Sequence, residues 1–211
     1  MGKGAETRLR ILDTAQQIVL EKGFSGTSID EIIDAAGITK GGFFYHFRGK
    51  ADLARALMQR YLEQDEAFFT AVIERAEELV EDPLQRALLF MKLFAEAMGD
   101  LPGVHPGCLV ASFTYESQQF DPEVREMAAA GVQRWRDIFR QRFVPVVEKY
   151  SMVRKVELDE LADTLTSLME GGIILSRVMN DPQILVQQLL QFRNYLRLLF
   201  GDVEPVSSPS A

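Results

Sequence analysis

The sequence contains a single cysteine, Cys108, and only two histidines, His46 and His105, among its 211 residues. One cysteine excludes an intrachain disulfide framework, which is typical of proteins from a reducing compartment. His105 and Cys108 stand close together in the chain, but two such ligands are too few for a metal site without further partners. We therefore expect no metal and no other cofactor.

Long hydrophobic runs and strand patterns are also missing. No uninterrupted apolar run approaches the roughly 20 residues that a membrane span needs, and the N-terminal stretch MGKGAETRLR has no hydrophobic signal region. No alternating apolar run bounded by hairpin turns occurs either. These absences predict a cytoplasmic, all-α protein with no membrane partner.

The sequence shows none of the common catalytic motifs. It has no phosphate-binding glycine loop, no nucleophile elbow and no HExxH pair. The adjacent carboxylates Glu77 and Glu78 fall on what reads as a solvated helix face. We therefore predict that the protein is not an enzyme. A helical protein-interaction adaptor stays open as an alternative, and a DNA mobility-shift assay would separate these classes.

The net charge of −8 is unevenly distributed along the chain. Residues 1–60 carry nine Lys or Arg against seven Asp or Glu, a net +2, whereas residues 61–211 carry fourteen against twenty-four, a net −10. A weakly basic N-terminal part with an acidic remainder fits a DNA-binding protein with modest non-specific affinity. The acidic part would repel DNA that approaches in the wrong orientation.

The segment TSIDEIIDAAGITKGGFFYHFRGK, residues 27–50, predicts two short helices joined by a tight turn. Ser28 and Glu31 have the spacing of a capping box, which starts the first helix. Gly37 stands where a left-handed C-terminal residue is wanted. Thr39 is the N-cap candidate of the second helix, which we predict to extend through Phe47.

The second helix carries unusual residues on its outer side. Helical spacing turns Phe43 and Phe47 toward the core, while the remaining side chains form outward rows. The glycines at positions 41 and 42 cost roughly 1 kcal/mol each relative to alanine in a helix. A bare backbone that approaches base edges and phosphates closely would compensate for this cost. The outward residues are Lys40, Gly41, Phe44 and Tyr45.

The stretch AAGITKGGFFYHFRGKADL resembles the DNA-binding motif of the tetracycline-repressor (TetR) family of bacterial transcriptional regulators, and the match covers roughly residues 1–55. One departure is that the family usually has Tyr where this chain has Phe44, so a hydroxyl contact is lost and a contact with a thymine methyl replaces it. The resemblance implies that bases or the adjacent backbone are approached by Thr39, Lys40, Gly41 and Tyr45. It also implies that phosphates are anchored by Ser28, His46 and Lys50.

The remaining pattern predicts about nine helices in total and three regions. Residues 1–49 form a helix-turn-helix DNA-binding domain, 50–200 an effector-binding and dimerisation domain, and 201–211 a polar, loosely ordered tail. The helix from residue 50 to about 80 reads as a lever between head and body. Later helices are expected at 83–98, 107–119, 121–150, 158–179 and 182–200, with a kink or break near Phe143 caused by Pro145.

The resemblance further implies an inducer pocket, because the family encloses one in this part of the body. Such pockets are mostly apolar with a few polar groups. Cys108 carries an alternative function, since GCLV is similar to the cysteine region of electrophile- and oxidant-sensing family members and a thiol near a helix N-terminus can become reactive. A buried, inert cysteine is the other interpretation. The predicted pocket residues are Phe90, Phe94, Met98, Cys108, Phe113, Trp135 and Phe139.

The last two helices carry apolar stripes that we interpret as the pairing surface of a homodimer. Two helices from each subunit would form a four-helix interface with two-fold symmetry. The alternative is that the stripes only complete the core of one chain. The predicted interface residues are Leu165, Leu168, Met169, Gly172, Ile173, Leu189, Phe192 and Leu196.

Together these patterns predict a homodimeric repressor that binds a palindromic, double-stranded DNA operator. The third helix of each subunit would enter the major groove, with half-sites roughly 34 Å apart. A small molecule bound in the body would release the operator. The sequence neither identifies that effector nor distinguishes repression from activation.

Overall fold

The computed structural model describes residues 2–201, and this part of the chain is helical with no strand, which confirms the all-α prediction. Of the predicted tail at 201–211, only Gly201 falls within the described residues. A single 3-10 turn occurs at Ser117–Gln119. The α-helices are α1 (Lys3–Lys22), α2 (Ile29–Ala36), α3 (Lys40–His46), α4 (Lys50–Leu79), α5 (Pro83–Gly99), α6 (Leu109–Tyr115), α7 (Pro122–Lys149), α8 (Leu158–Met179) and α9 (Gln183–Phe200).

The short helices α2 and α3 begin and end where their capping residues predict. The Ser28 hydroxyl accepts from the Glu31 amide at 3.2 Å, and Gly37 ends α2 in the left-handed conformation with φ of 62°. The Glu31 carboxylate lies 2.5 Å from Lys22 Nζ, and hydrogen bonds from Lys22 and from the Ser28 backbone, the other half of the predicted capping box, lower its pKa. The Thr39 hydroxyl caps α3 by accepting from the Gly42 amide at 3.1 Å.

Two predicted boundaries differ from the observed ones. α7 continues through Pro145 to Lys149, so the proline does not break the helix. A proline inside a helix removes one backbone donor, which does not by itself end the helix. The helix predicted at 107–119 is shorter, since α6 ends at Tyr115 and the chain tightens into the 3-10 turn. Such turns are frequent at helix ends.

The chain forms two compact units. The first contains Met1–Phe68 together with Pro106–Arg134, so it joins the head, formed by α1, α2 and α3, to the start of α4, to α6 and to the first half of α7. The domain boundary predicted after residue 49 stays a prediction. Buried apolar side chains fill this unit, with Phe43 and Phe47 beside Ile11, Leu12, Ala15, Leu53, Leu57 and Met58.

The second unit contains Phe69–His105 and the chain from Trp135 onward. α9 packs against both α5 and α8 within it. The α8–α9 contact is close at Gly172, where an added Cβ would lie 2.9 Å from Leu185 Cδ1 and 3.2 Å from its Cα. Glycine at this position therefore serves packing inside one chain.

This packing corrects the predicted dimer residues. α9 packs against both α8 and α5, so most side chains of the two stripes lie in the core of a single chain rather than on its surface. Leu168 is half-buried, and the others are buried: Leu165, Met169, Gly172, Ile173, Leu189, Phe192 and Leu196. The apolar side chains that these helices leave exposed are Ile174, Leu175, Val178, Met179, Leu190, Tyr195 and Leu198.

Most of the predicted pocket residues of the second unit belong to its core. Phe69 contacts Phe94 and Phe139 edge-to-face, with ring centroids 5.4 and 5.1 Å apart. Phe90 borders a cavity of about 30 Å³, far below the roughly 300–1,000 Å³ of sites for drug-sized ligands. Trp135 is buried and Met98 is half-buried. The other two predicted residues, Cys108 and Phe113, lie in the first unit.

Asp82 joins two helices of the second unit. Its Oδ1 caps α5 by accepting from the Leu84 and Gln85 amides at 3.0 Å, and its Oδ2 accepts from Lys149 Nζ at 2.7 Å and the Tyr150 hydroxyl at 2.6 Å. Burial alone would raise the pKa of Asp82, but these hydrogen bonds outweigh it and lower the pKa to about 2. The carboxylate therefore stabilises the folded state in its charged form.

Replacing Asp82 by Ala should reduce the free energy of unfolding at pH 7 by about 1–2 kcal/mol through the lost cap. Because the folded pKa lies below the unfolded value of about 3.9, the stabilisation is complete above that value and disappears as pH falls toward 2. Denaturant titrations at pH 7 and pH 2.5 measure both effects. Asp82→Asn keeps the cap acceptor and should lose only the pH-dependent part, and an unaltered acid dependence in this variant would contradict the assignment.

Candidate nucleic-acid interface

The outer face of α3 is held by the aromatic packing beneath it. Phe43 and Phe47 are buried with ring centroids 5.7 Å apart, and the Arg8 guanidinium lies 5.2 Å from the Phe47 ring centroid. Two buried aromatic rings separated by one helical turn fix the rotation of a seven-residue helix about its own axis. The opposite face of α3 is therefore presented to solvent in a defined orientation.

That face carries the residues predicted to approach bases. Tyr45 is 82% exposed, and Phe44, Lys40 and Gly41 are also exposed. A Cβ added at Gly41 would meet no atom within 4 Å, so the backbone there is open to a partner. Lys40 makes only a distant, exposed ion pair with Asp30 at 3.6 Å, and such pairs contribute little.

The hydroxyl oxygens of Ser28 and Thr39 cap helices as hydrogen-bond acceptors, and each hydroxyl still has its own hydrogen to donate. Each oxygen accepts one backbone N–H, from Glu31 and Gly42 respectively. Both side chains are exposed residues that can donate to a phosphate oxygen without giving up the cap.

His46 and Lys50 are half-buried in the protein without DNA. The His46 ring lies edge-on to Tyr45 with centroids 4.9 Å apart. Lys50 Nζ lies 4.5 Å from the Phe24 ring centroid, and burial lowers the pKa of Lys50 while the Glu116 carboxylate opposes that effect. Lys50 is therefore positioned by the Phe24 ring and by Glu116, and its ammonium has three N–H groups that can donate to other acceptors.

Sequence reasoning missed a carboxylate contact that holds the turn between α1 and α2. Glu116 accepts from the Phe24 amide at 2.8 Å, from the Ser25 amide at 2.7 Å and from the Ser25 hydroxyl. Gly23 has φ of 83°, and an added Cβ would lie 2.5 Å from Glu116 Oε1, so only glycine fits. We call these contacts the Glu116 clamp. No sequence signal could reveal it, because its partners are separated by more than 90 positions.

The Glu116 clamp depends on a charged carboxylate. Burial alone would raise the pKa of Glu116, but the hydrogen bonds from Ser25 and the Phe24 amide, together with the charge of Lys50, lower it. Each of its partners donates a proton and none accepts one. The ionised form is therefore the one that fits this turn.

Cys108 and His105 show no arrangement for metal binding. Cys108 is buried and caps α6, where its Sγ accepts from the Ala111 amide at 3.4 Å. Burial, with a smaller contribution from Arg177, lowers the pKa of His105 to about 4. Within residues 2–201, no group of His, Cys, Asp and Glu side chains could hold a metal ion. A reactive role for Cys108 stays a prediction.

A family model described as bacterial regulatory proteins of the tetR family matches residues 11–57, which include α2 and α3. A second model, the tetracyclin repressor-like C-terminal domain, matches residues 83–192. The chain belongs to the tetR family. It is thus a DNA-binding transcriptional regulator, as the resemblance in α2 and α3 implied. No helix of the described tetR-family chain is long and apolar enough to cross a membrane.

Individual relatives agree with this assignment. The chain is 26% identical over 182 residues to the HTH-type transcriptional repressor DhaR of Mycobacterium sp. strain GP1, covering 86% of this chain and 88% of the relative. It is 28% identical to the transcriptional regulator AcuR of Cereibacter sphaeroides, covering 75% and 70%. A crystal structure of a TetR regulator from Chloroflexus aurantiacus aligns with a TM-score of 0.78 at 26% identity, covering 94% and 98%.

Proposed function

We propose that this TetR-family regulator is a homodimeric repressor that binds a palindromic operator through the exposed face of α3. The observation that carries the proposal is the exposure of Tyr45 and Lys40 on a helix fixed from beneath by Phe43 and Phe47. An exposed tyrosine and an open glycine backbone suit contact with base edges and phosphates in a major groove. The name of the relative DhaR, a repressor, favours repression over activation.

The contacts divide into two kinds. The residues that would meet bases or the adjacent backbone are exposed at the start and on the outer side of α3, with Phe44 against a thymine methyl: Thr39, Lys40, Gly41, Phe44 and Tyr45. Ser28, His46 and Lys50 would contact phosphates, which position the protein but do not read sequence. Arg48, exposed in the turn between α3 and α4, is a further phosphate candidate.

The exposed faces of α8 and α9 support the homodimer. Ile174, Leu175 and Val178 follow Gly171 on one side of α8, and Leu190, Tyr195 and Leu198 stay exposed on α9. A Cβ added at Gly171 would meet nothing within 4 Å, so the backbone there is open to a second helix. Exposed apolar side chains on two helices that pack together are typical of a protein–protein interface, and a two-fold axis lets one such surface pair with itself.

A mobility-shift assay with the DNA upstream of the protein's own gene tests the proposal. We expect a shifted complex that persists in excess random DNA, because specific sites are bound roughly 10³–10⁷ times more tightly than random ones. The complex should contain two protein chains per DNA fragment. Equal competition by random DNA, or a one-to-one complex, would contradict an operator-binding dimer.

A further inference from the structure

The first unit contains an aromatic cluster that connects the head to α6. Phe113 and Phe120 stack with ring centroids 4.1 Å apart and an interplanar angle of 15°. Phe24, from the turn between α1 and α2, contacts both rings at centroid distances of 5.3 and 4.7 Å. All three side chains are buried. The position of this turn therefore depends on where Phe113 and Phe120 lie.

A solvent-open cavity of about 250 Å³ lies against this cluster, and Thr114, Arg125, Ala129 and Val132 in its lining are exposed. It is below the roughly 300–1,000 Å³ of sites for drug-sized ligands, so its occupant must be small. α6, the 3-10 turn and the first turns of α7 form its walls. Its lining residues are Val110, Phe113, Thr114, Ser117, Phe120, Val124, Arg125, Ala128, Ala129 and Val132.

The residues that line the cavity suit a molecule that is mostly apolar and carries one negative charge. Seven lining residues are apolar, two carry hydroxyls, one is a guanidinium and none is acidic. Arg125 Nη1 donates to the Ser117 and Phe120 carbonyl oxygens at 3.4 and 3.3 Å, which orients the side chain at this site. Because a guanidinium has five N–H donors, others remain for a carboxylate.

We propose that this cavity binds a small aromatic or aliphatic carboxylate, and that its occupation acts on the DNA-binding head through Phe113, Phe120 and Phe24. Ligand binding at this cavity does not depend on the proposed repressor function. The effect of the ligand on operator binding does rest on that function. The ligand would touch two rings of the cluster directly, and the Glu116 clamp would carry the change to the backbone of Phe24 and Ser25.

A second cavity supports the idea that the cluster can rearrange. It has a volume of about 140 Å³ and is bordered by Phe24, Lys50, Phe120 and Val124, among others. Phe120 and Val124 thus have unfilled space on two sides. Space beside Phe120 permits a second packing that a ligand can favour or disfavour.

Titration of the full-length protein with benzoate, by calorimetry and without DNA, tests the site. We expect benzoate to bind at millimolar concentration and benzyl alcohol to bind at least fivefold more weakly. Ala128→Leu fills the cavity and should weaken benzoate binding at least tenfold, whereas Ala130→Leu changes an exposed alanine of α7 outside the lining and should not. Arg125→Gln should remove the preference for the carboxylate.

Absence of benzoate binding to the wild-type protein overturns the site, as does equal binding by Ala128→Leu. The link to the head is tested separately by operator affinity, which we expect benzoate to change at least threefold. Glu116→Gln places an amide group against donors and should abolish this response while benzoate still binds. An unchanged operator affinity in saturated wild-type protein overturns the link. If the proposed function itself is wrong, the ligand-free protein will bind no operator, and this result is distinct from a failed ligand site and from a failed link to the head.

Discussion

Leu175→Glu is expected to convert the dimer into a monomer and to weaken operator binding at least a hundredfold. Leu175 is 49% exposed in the middle of the apolar face of α8, between Gly171 and Val178. In a two-fold interface the substitution places two carboxylates in one contact. Each would be buried without a partner, at a cost of several kcal/mol. A hundredfold loss corresponds to only about 2.7 kcal/mol, so the estimate is conservative.

Leu79→Glu is the matched control, because Leu79 is an exposed leucine of the same unit at 50% exposure, on α4. Sedimentation velocity and operator titration by fluorescence anisotropy measure the two effects. Leu79→Glu should remain dimeric with wild-type affinity. A dimeric Leu175→Glu protein, or a wild-type protein that sediments as a monomer while still binding operator tightly, would show that α8 is not the pairing surface.

Tyr45→Ala should weaken operator binding by about 1–3 kcal/mol per subunit, which is roughly five- to 150-fold. The side chain is 82% exposed and supports no core contact, so the variant should fold with unchanged stability. Affinity for random DNA should fall much less, because non-specific binding depends on phosphate contacts. The ratio of operator to random-DNA affinity is therefore the quantity to measure.

Tyr115→Ala is the appropriate comparison, since Tyr115 is 80% exposed in the same compact unit, and it is the last residue of α6, which does not contact DNA in the proposed complex. It should leave both affinities unchanged. Equal losses on operator and random DNA in Tyr45→Ala would assign the tyrosine to positioning rather than to base recognition.

Local signals predicted the head well. Ser28, Thr39 and Gly37 act on neighbours three or four residues away, so their roles can be derived from spacing alone. The same holds for Asp82 before Pro83, which caps α5. The exposure of Tyr45 and burial of Phe43 follow from helical periodicity and are also confirmed. Whether the exposed residues contact DNA stays a prediction.

The sequence did not predict in the same way which helix packs against which. The stripe of Leu165, Met169 and Ile173 shows that one side of α8 is buried, but periodicity does not identify what covers it. The structure shows that α9 of the same chain does. The dimer prediction therefore named the side of α8 with the more regular apolar pattern. The side that stays exposed carries Ile174 and Leu175 among polar residues.

The Glu116 clamp has a practical consequence for exchanging DNA specificity between related regulators. A graft of a foreign head onto this chain, cut after residue 49, would replace the turn at positions 23–25 but keep Glu116, Phe113 and Phe120. The stacked rings and the carboxylate would then lose Phe24 and Ser25, which they contact in the native chain. A chimera that also transplants residues 106–134 preserves these native pairs, because that segment and the head belong to one compact unit.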